Sequence, residues 1–95
     1  MKMVLTHAAL EDLRSIRKYT FETWGSQQEE LYLGRIWERF ETIRADPARC
    51  RQRPDLFAGC RIAAEGSHVI LFRCGGEFLE IVRVLHSAMD FKRHL

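Results

Sequence analysis

A chain of 95 residues has room for one hydrophobic core and no second module, because cores divide only well beyond ~200 residues. Hydrophobic residues make up 46% and charged residues 29%, a balance that excludes intrinsic disorder and a membrane-spanning class and fits one globular domain over residues 1–95. Fifteen Lys and Arg against 13 Asp and Glu leave a net charge of +2, too little for an electrostatic footprint on duplex nucleic acid, so no direct sequence-specific DNA binding is expected.

The charge excess is local. Residues 46–61 hold four Arg against Asp46 and Asp55, while the flanking stretches are each balanced. Cys50, Cys60 and Cys74 make an odd set without a CxxC pair, and no signal-like apolar stretch opens the chain, so a cytoplasmic location is expected.

Met3 to Thr6 reads as a short strand, with Thr6 placed to cap a helix beginning just after it. Ala9, Leu13, Ile16, Thr20 and Trp24 then recur at helical spacing, and Gly25 supplies a stop. Ser26 and Glu29 have the spacing of a capping box for a second helix. Its inner stripe is Leu33, Ile36, Phe40 and Ile43, with Trp37 on the flank, and it ends at Asp46 because Pro47 disfavours helical geometry before it. So short a link makes the two helices an antiparallel hairpin.

Residues 46–60, with Pro47, Pro54, Gly59 and clustered Arg, read as a loop. Three strands come next, at 60–64, 68–74 and 78–85, separated by Glu65-Gly66 and Gly75-Gly76. A Gly75-Gly76 turn pairs Phe72 with Leu79 and Ile70 with Ile81 on an apolar face suited to the helices. The other face then carries Val69, Leu71, Arg73, Phe78, Glu80, Val82 and Val84. The last strand is apolar on both sides, like a central strand, yet the helices cover only one. Either the termini or the 46–60 loop roofs the second face, or a partner does. At about 25 cal/mol per Å², covering a few hundred Å² is worth several kcal/mol before ordering costs.

No phosphate-binding glycine loop, HExxH or GxSxG is present, and no cofactor is expected. His86, Asp90 and His94 would line up as metal ligands only on a helical tail; a solvated tail is the simpler reading, and no metal is expected. The cysteines suit apolar packing and the tryptophans core or interface positions. Arg61, Arg73 and Arg83 lie on or beside the sheet, where they can hold phosphate or carboxylate, or pair with acids such as Glu80. His86 is the one well-placed acid–base candidate.

The order strand, helical hairpin, Arg-containing loop and three-strand meander, an α+β arrangement, resembles the RelE/ParE toxin superfamily. The residues resemble its ParE branch: Ala8-Ala9-Leu10-Glu11-Asp12-Leu13, Tyr19, Trp24-Gly25, Tyr32-Leu33, Asp46-Pro47, Gly66-Ser67-His68, and above all Glu80-Ile81-Val82-Arg83-Val84-Leu85-His86 with Met89-Asp90. The resemblance implies the toxin of a type II toxin–antitoxin pair, a ParD-like antitoxin as partner, and DNA gyrase as a target poisoned by binding, without a catalytic residue. It implies that Val69, Leu71, Arg73, Phe78, Glu80, Val82 and Val84 face the antitoxin, and that Arg61, Arg83, His86, Met89 and Asp90 are candidates for the target. The RelE branch cleaves mRNA on the ribosome with basic residues and often a Tyr or His near the C-terminus. The tail here has no Tyr, but His86 with Arg61, Arg73 and Arg83 keeps nuclease as the alternative.

Overall fold

A computed structural model describes residues 1–95. Strand β1 (Lys2–Leu5) leads into helices α1 (His7–Trp24) and α2 (Ser26–Ala45), one 3-10 turn (Pro47–Arg49), and strands β2 (Arg51–Gln52), β3 (Arg61–Glu65), β4 (His68–Gly75) and β5 (Phe78–His86), with a 3-10 turn at Phe91–His94. The sheet order is β1-β5-β4-β3-β2. β5 is therefore an inner strand, parallel to β1 and antiparallel to β4. The expected α+β architecture is present, and the loop adds β2 as a short edge strand. No helix is long and apolar enough to cross a membrane.

The helical stripes bury as their spacing requires. Ala9, Leu13, Ile16 and Thr20 of α1 meet Leu33, Ile36, Phe40 and Ile43 of α2 over Ile70, Phe72, Leu79 and Ile81 of the sheet. Thr20 enters this core because its hydroxyl donates to the Ile16 carbonyl at 2.7 Å. Trp24 is not core: residues 21–28 are all exposed, so the hairpin tip lies beyond the packed layer. Trp37 is also exposed, stacked edge-on against buried Phe40. The capping box does not form. Gly25 caps both helices, with no side-chain bond at the start of α2, and Glu29 instead approaches Arg17 at 3.5 Å.

The β4–β5 turn falls at Gly76-Glu77, one residue later than the Gly-Gly reading. Gly76 alone takes a positive φ, 57°, and glycine at the first turn position suffices, leaving Gly75 to pair with Phe78 as strand. The register moves by two residues, which preserves faces: Phe72 now lies opposite Ile81. Further along, Leu71 pairs with Arg83 while Phe72 keeps Ile81, so Val82 is an inserted bulge residue.

Beyond the bulge the faces exchange. Val84 lies opposite Ile70 and enters the helix-side core at 2% exposure, whereas Leu85 crosses to the other face with Leu71 and Cys60. Two side chains, Thr6 at the cap of α1 and Asp12 within it, hold this geometry. Thr6 accepts the Ala9 N–H at 3.0 Å, as expected of a cap, and its hydroxyl donates to the Val82 carbonyl at 2.7 Å. Asp12 accepts both Nε and Nη2 of Arg83 at 2.8 Å and the Val84 N–H at 2.9 Å.

Asp12 and Arg83 are largely shielded, so removing the carboxylate strands a guanidinium and a backbone N–H together. Asp12→Ala is expected to cost about 3 kcal/mol in urea unfolding. A double-mutant cycle with Arg83→Met should show strong coupling; additive losses would mean the pair does not act as a unit.

Candidate functional site

The sheet face away from the helices is roofed in one half and open in the other. Leu56 and Phe57 from the 53–60 loop and Phe91 from the tail pack on Cys60, Leu71 and Leu85, with Val69 and Ile62 at the margin. Arg53 braces that loop by pairing with Asp55 at 2.9 Å and by its N–H to the Cys60 carbonyl. Burial pushes the Cys60 thiol up to about 11, so it packs as an apolar residue.

This corrects two residues expected on an open surface. Leu71 is fully buried under the loop and tail, and Val84 lies in the opposite core because of the bulge. Val69 is half-buried. The open remainder is a hollow of about 250 Å³ whose lining includes Val4, Arg73, Phe78 and Glu80. Phe78 is 48% and Val4 36% exposed, and Val82, on the same strand as Phe78, is half-buried. Val4 is the part the strand-pattern reading missed: it reaches this face only because β1 pairs with β5, Val4 beside Glu80.

The three arginines near the sheet do not converge. Arg61 donates to the Ala48 and Cys50 carbonyls, at 3.3 and 2.7 Å. Arg73 pairs with Glu80 at 2.8 Å and lies over the Phe57 ring. Arg83 is held by Asp12 and also donates to the His94 carbonyl. Asp90 caps the last turn through the Lys92 N–H at 3.2 Å, and Met89 is exposed. The tail does not continue as an α-helix, so His86, Asp90 and His94 lack ligand spacing, and no group of three His, Cys, Asp or Glu side chains could hold a metal ion.

A different cluster does assemble at the far end of β4 and β5. Tyr32 of α2 reaches His68, with Oη 2.5 Å from Nδ1, and receives the Ser67 N–H at 3.2 Å. Its ring fits because residue 66 is glycine: a Cβ there would fall 2.7 Å from Tyr32 Cε1. The His68 and His86 rings meet edge to face, 5.5 Å between centroids. His86 Nδ1 accepts the Ala88 N–H at 3.1 Å. A cleft of about 160 Å³, with Asp12, His68, Arg83, His86 and His94 among its lining, opens beside them.

Burial first, and His86 second, hold the His68 pKa below its ordinary value, against a smaller opposing effect of Asp12. The fold thus prefers neutral His68, able to accept the Tyr32 proton.

The family model for the ParE toxin of type II toxin–antitoxin systems matches residues 3–91. The chain belongs to the ParE toxin family. "Toxin ParE1" of Caulobacter vibrioides is 36% identical over 91 residues, covering 96% of this chain and 94% of that one. Among solved structures, a chromosomal ParDE system from P. aeruginosa superposes with a TM-score of 0.78 at 20% identity, over 90% of this chain and 95% of that one. The RelBE2 toxin–antitoxin complex of Mycobacterium tuberculosis gives 0.61 at 23% identity, over 90% and 95%. In this ParE chain, stretches that carry the family resemblance meet in space: Asp12 with Arg83, and Tyr32 with Gly66 and His68. Their positions in the structure are those of fold-holding contacts.

Neutral His68 contributes stability that is whole above the ordinary histidine value of 6.5 and is lost as pH falls through the lower value the fold imposes. Urea titrations from about pH 7.5 to 5 should therefore show a drop below pH 6.5 that is smaller in His68→Gln. Equal pH profiles for the two proteins would contradict the burial of an uncharged ring.

Proposed function

We propose that this ParE-family toxin acts by binding DNA gyrase, has no catalytic residue of its own, and is neutralised in the cytoplasm by a ParD-like antitoxin. The observation that carries this reading is the dispersal of Arg61, Arg73 and Arg83, each committed to a separate intramolecular partner. An RNA-cleaving centre gathers such cations around the scissile phosphate. The open apolar hollow at Val4 and Phe78, with Val82 on the same strand and the Arg73–Glu80 pair beside it, offers instead a protein contact with a polar rim. His86, Met89 and Asp90, on the last strand and the tail after it, are the proposed contact with the target; Arg83 beside them is held by Asp12, and Arg61 lies apart, towards the opposite edge of the sheet.

One observation favours the alternative, a RelE-like ribosome-dependent mRNA endonuclease. Tyr32, hydrogen-bonded to His68, and His86, packed edge-on against His68, place three titratable side chains beside a cleft.

Adding the purified toxin to gyrase supercoiling and DNA-cleavage reactions should accumulate cleaved DNA, and adding it to a translating ribosome system should leave mRNA intact. Codon-specific cuts with unaffected gyrase would sink the binding mechanism. His86→Ala separates the two further, because a general acid–base is worth about 10²–10⁴ in rate whereas one rim contact is worth little. For the antitoxin, calorimetry should show Phe78→Asp weakening binding by about ten-fold or more while Arg14→Asp, on the outer surface of α1, has little effect. Equal affinities would move the antitoxin to another face.

A further inference from the structure

A third concavity, larger than the Phe78 hollow and the His68 cleft, lies away from both. A groove of about 670 Å³ runs between the C-terminal half of α2, the turn after it, and the outer edge of β3. Arg39, Arg49 and Arg51 line it, with Asp46 as its one carboxylate. None of these four makes an ion pair, although the chain forms seven between Arg and Asp or Glu elsewhere. The local charge excess legible in residues 46–61 is thus partly resolved: Arg53 and Arg61 are used internally, while Arg49 and Arg51 stay exposed and uncompensated.

The groove also has an unfinished backbone edge. β2 pairs with β3 only at Arg51–Ile62 and Gln52–Arg61, and the Arg53 N–H bonds to the Cys60 carbonyl. By strand alternation the outward-facing groups of β3 belong to residues 60, 62 and 64. β2 ends before residue 64, so Ala64 lies exposed past it, its carbonyl held by Arg39 Nε at 3.1 Å. Arginine here takes the place of a neighbouring strand.

We propose that this groove is a docking site for an extended acidic polypeptide segment. It deepens the antitoxin reading, on which the identity of the partner rests. Carboxylates of such a segment meet Arg49 and Arg51, and one of its backbone carbonyls accepts from the outward-facing Ala64 N–H in the manner of strand addition, while Arg39 keeps the Ala64 carbonyl. Nucleic acid is disfavoured by two features. Half of the lining is apolar, including Ile62 and Ala63, and the chain's net charge is only +2.

The test uses the whole labelled toxin and a synthetic peptide of about ten residues alternating glutamate and valine, with binding read by NMR. The amides of residues 49–51 and 62–65 should shift. Arg49→Glu with Arg51→Glu should weaken binding about ten-fold or more, while Arg14→Glu, on the exposed outer surface of α1, leaves it unchanged. A matched glutamine–valine peptide should bind far more weakly, and raising salt should weaken the acidic peptide. No shift in these residues, or equal binding by the charge-reversed variant, overturns the proposal even if gyrase poisoning holds. Tighter occupation of the same residues by oligouridylate would overturn it in favour of a nucleic-acid groove.

Discussion

One carboxylate sets the geometry on which the rest depends. Asp12, in the second turn of α1, satisfies both forks of Arg83 and the Val84 N–H, while Thr6 at the start of the same helix takes the Val82 carbonyl as acceptor. A bulge leaves backbone groups without ladder partners and would be costly in a buried inner strand. Here the helix supplies those partners. The same contacts fix where α1 sits on the sheet, so helix docking and strand register are determined together.

The bulge decides what β5 offers to a partner. A regular strand would present Phe78, Glu80, Val82 and Val84 on one face. With Val82 inserted, Val84 fills the core under the helices and Leu85 turns outward to be covered by Phe57, Leu56 and Phe91. The chain therefore satisfies much of the second face with its own loop and tail, and confines the exposed apolar part to Val4, Phe78 and the flank of Val82. A small open patch with a polar rim limits self-association and still leaves area to gain when a partner binds.

Much of the fold was legible because burial follows period. The stripes of α1 and α2, the last strand as an inner strand, and the helix stop at Asp46 all agree with spacing and with Pro47. The bulge was not legible, since an extra residue in a β-branched run leaves alternation looking intact, and the carboxylate that supports it lies 71 positions away in sequence. The turn shifted because one glycine with positive φ was enough, and the second became strand. Trp24 looked like core because its spacing is right; the packed layer simply ends first. Of the candidate site, Phe78 and Arg73 with Glu80 were readable from the meander, whereas Val4 depended on a parallel pairing between the two ends of the chain. Tyr32, Gly66 and His68 were visible only as pieces of a family pattern, and their contact is a tertiary fact.

The open surface requires Val82 and Val84 to face opposite sides of the sheet, which thiol labelling reads directly. In a chain with Cys50 and Cys74 changed to Ser, a cysteine replacing Val82 should react at least about ten-fold faster than one replacing Val84, because only the latter lies in the sealed core. Equal rates at the two positions would mean that they share a face, that the strand is regular, and that the open surface lies elsewhere.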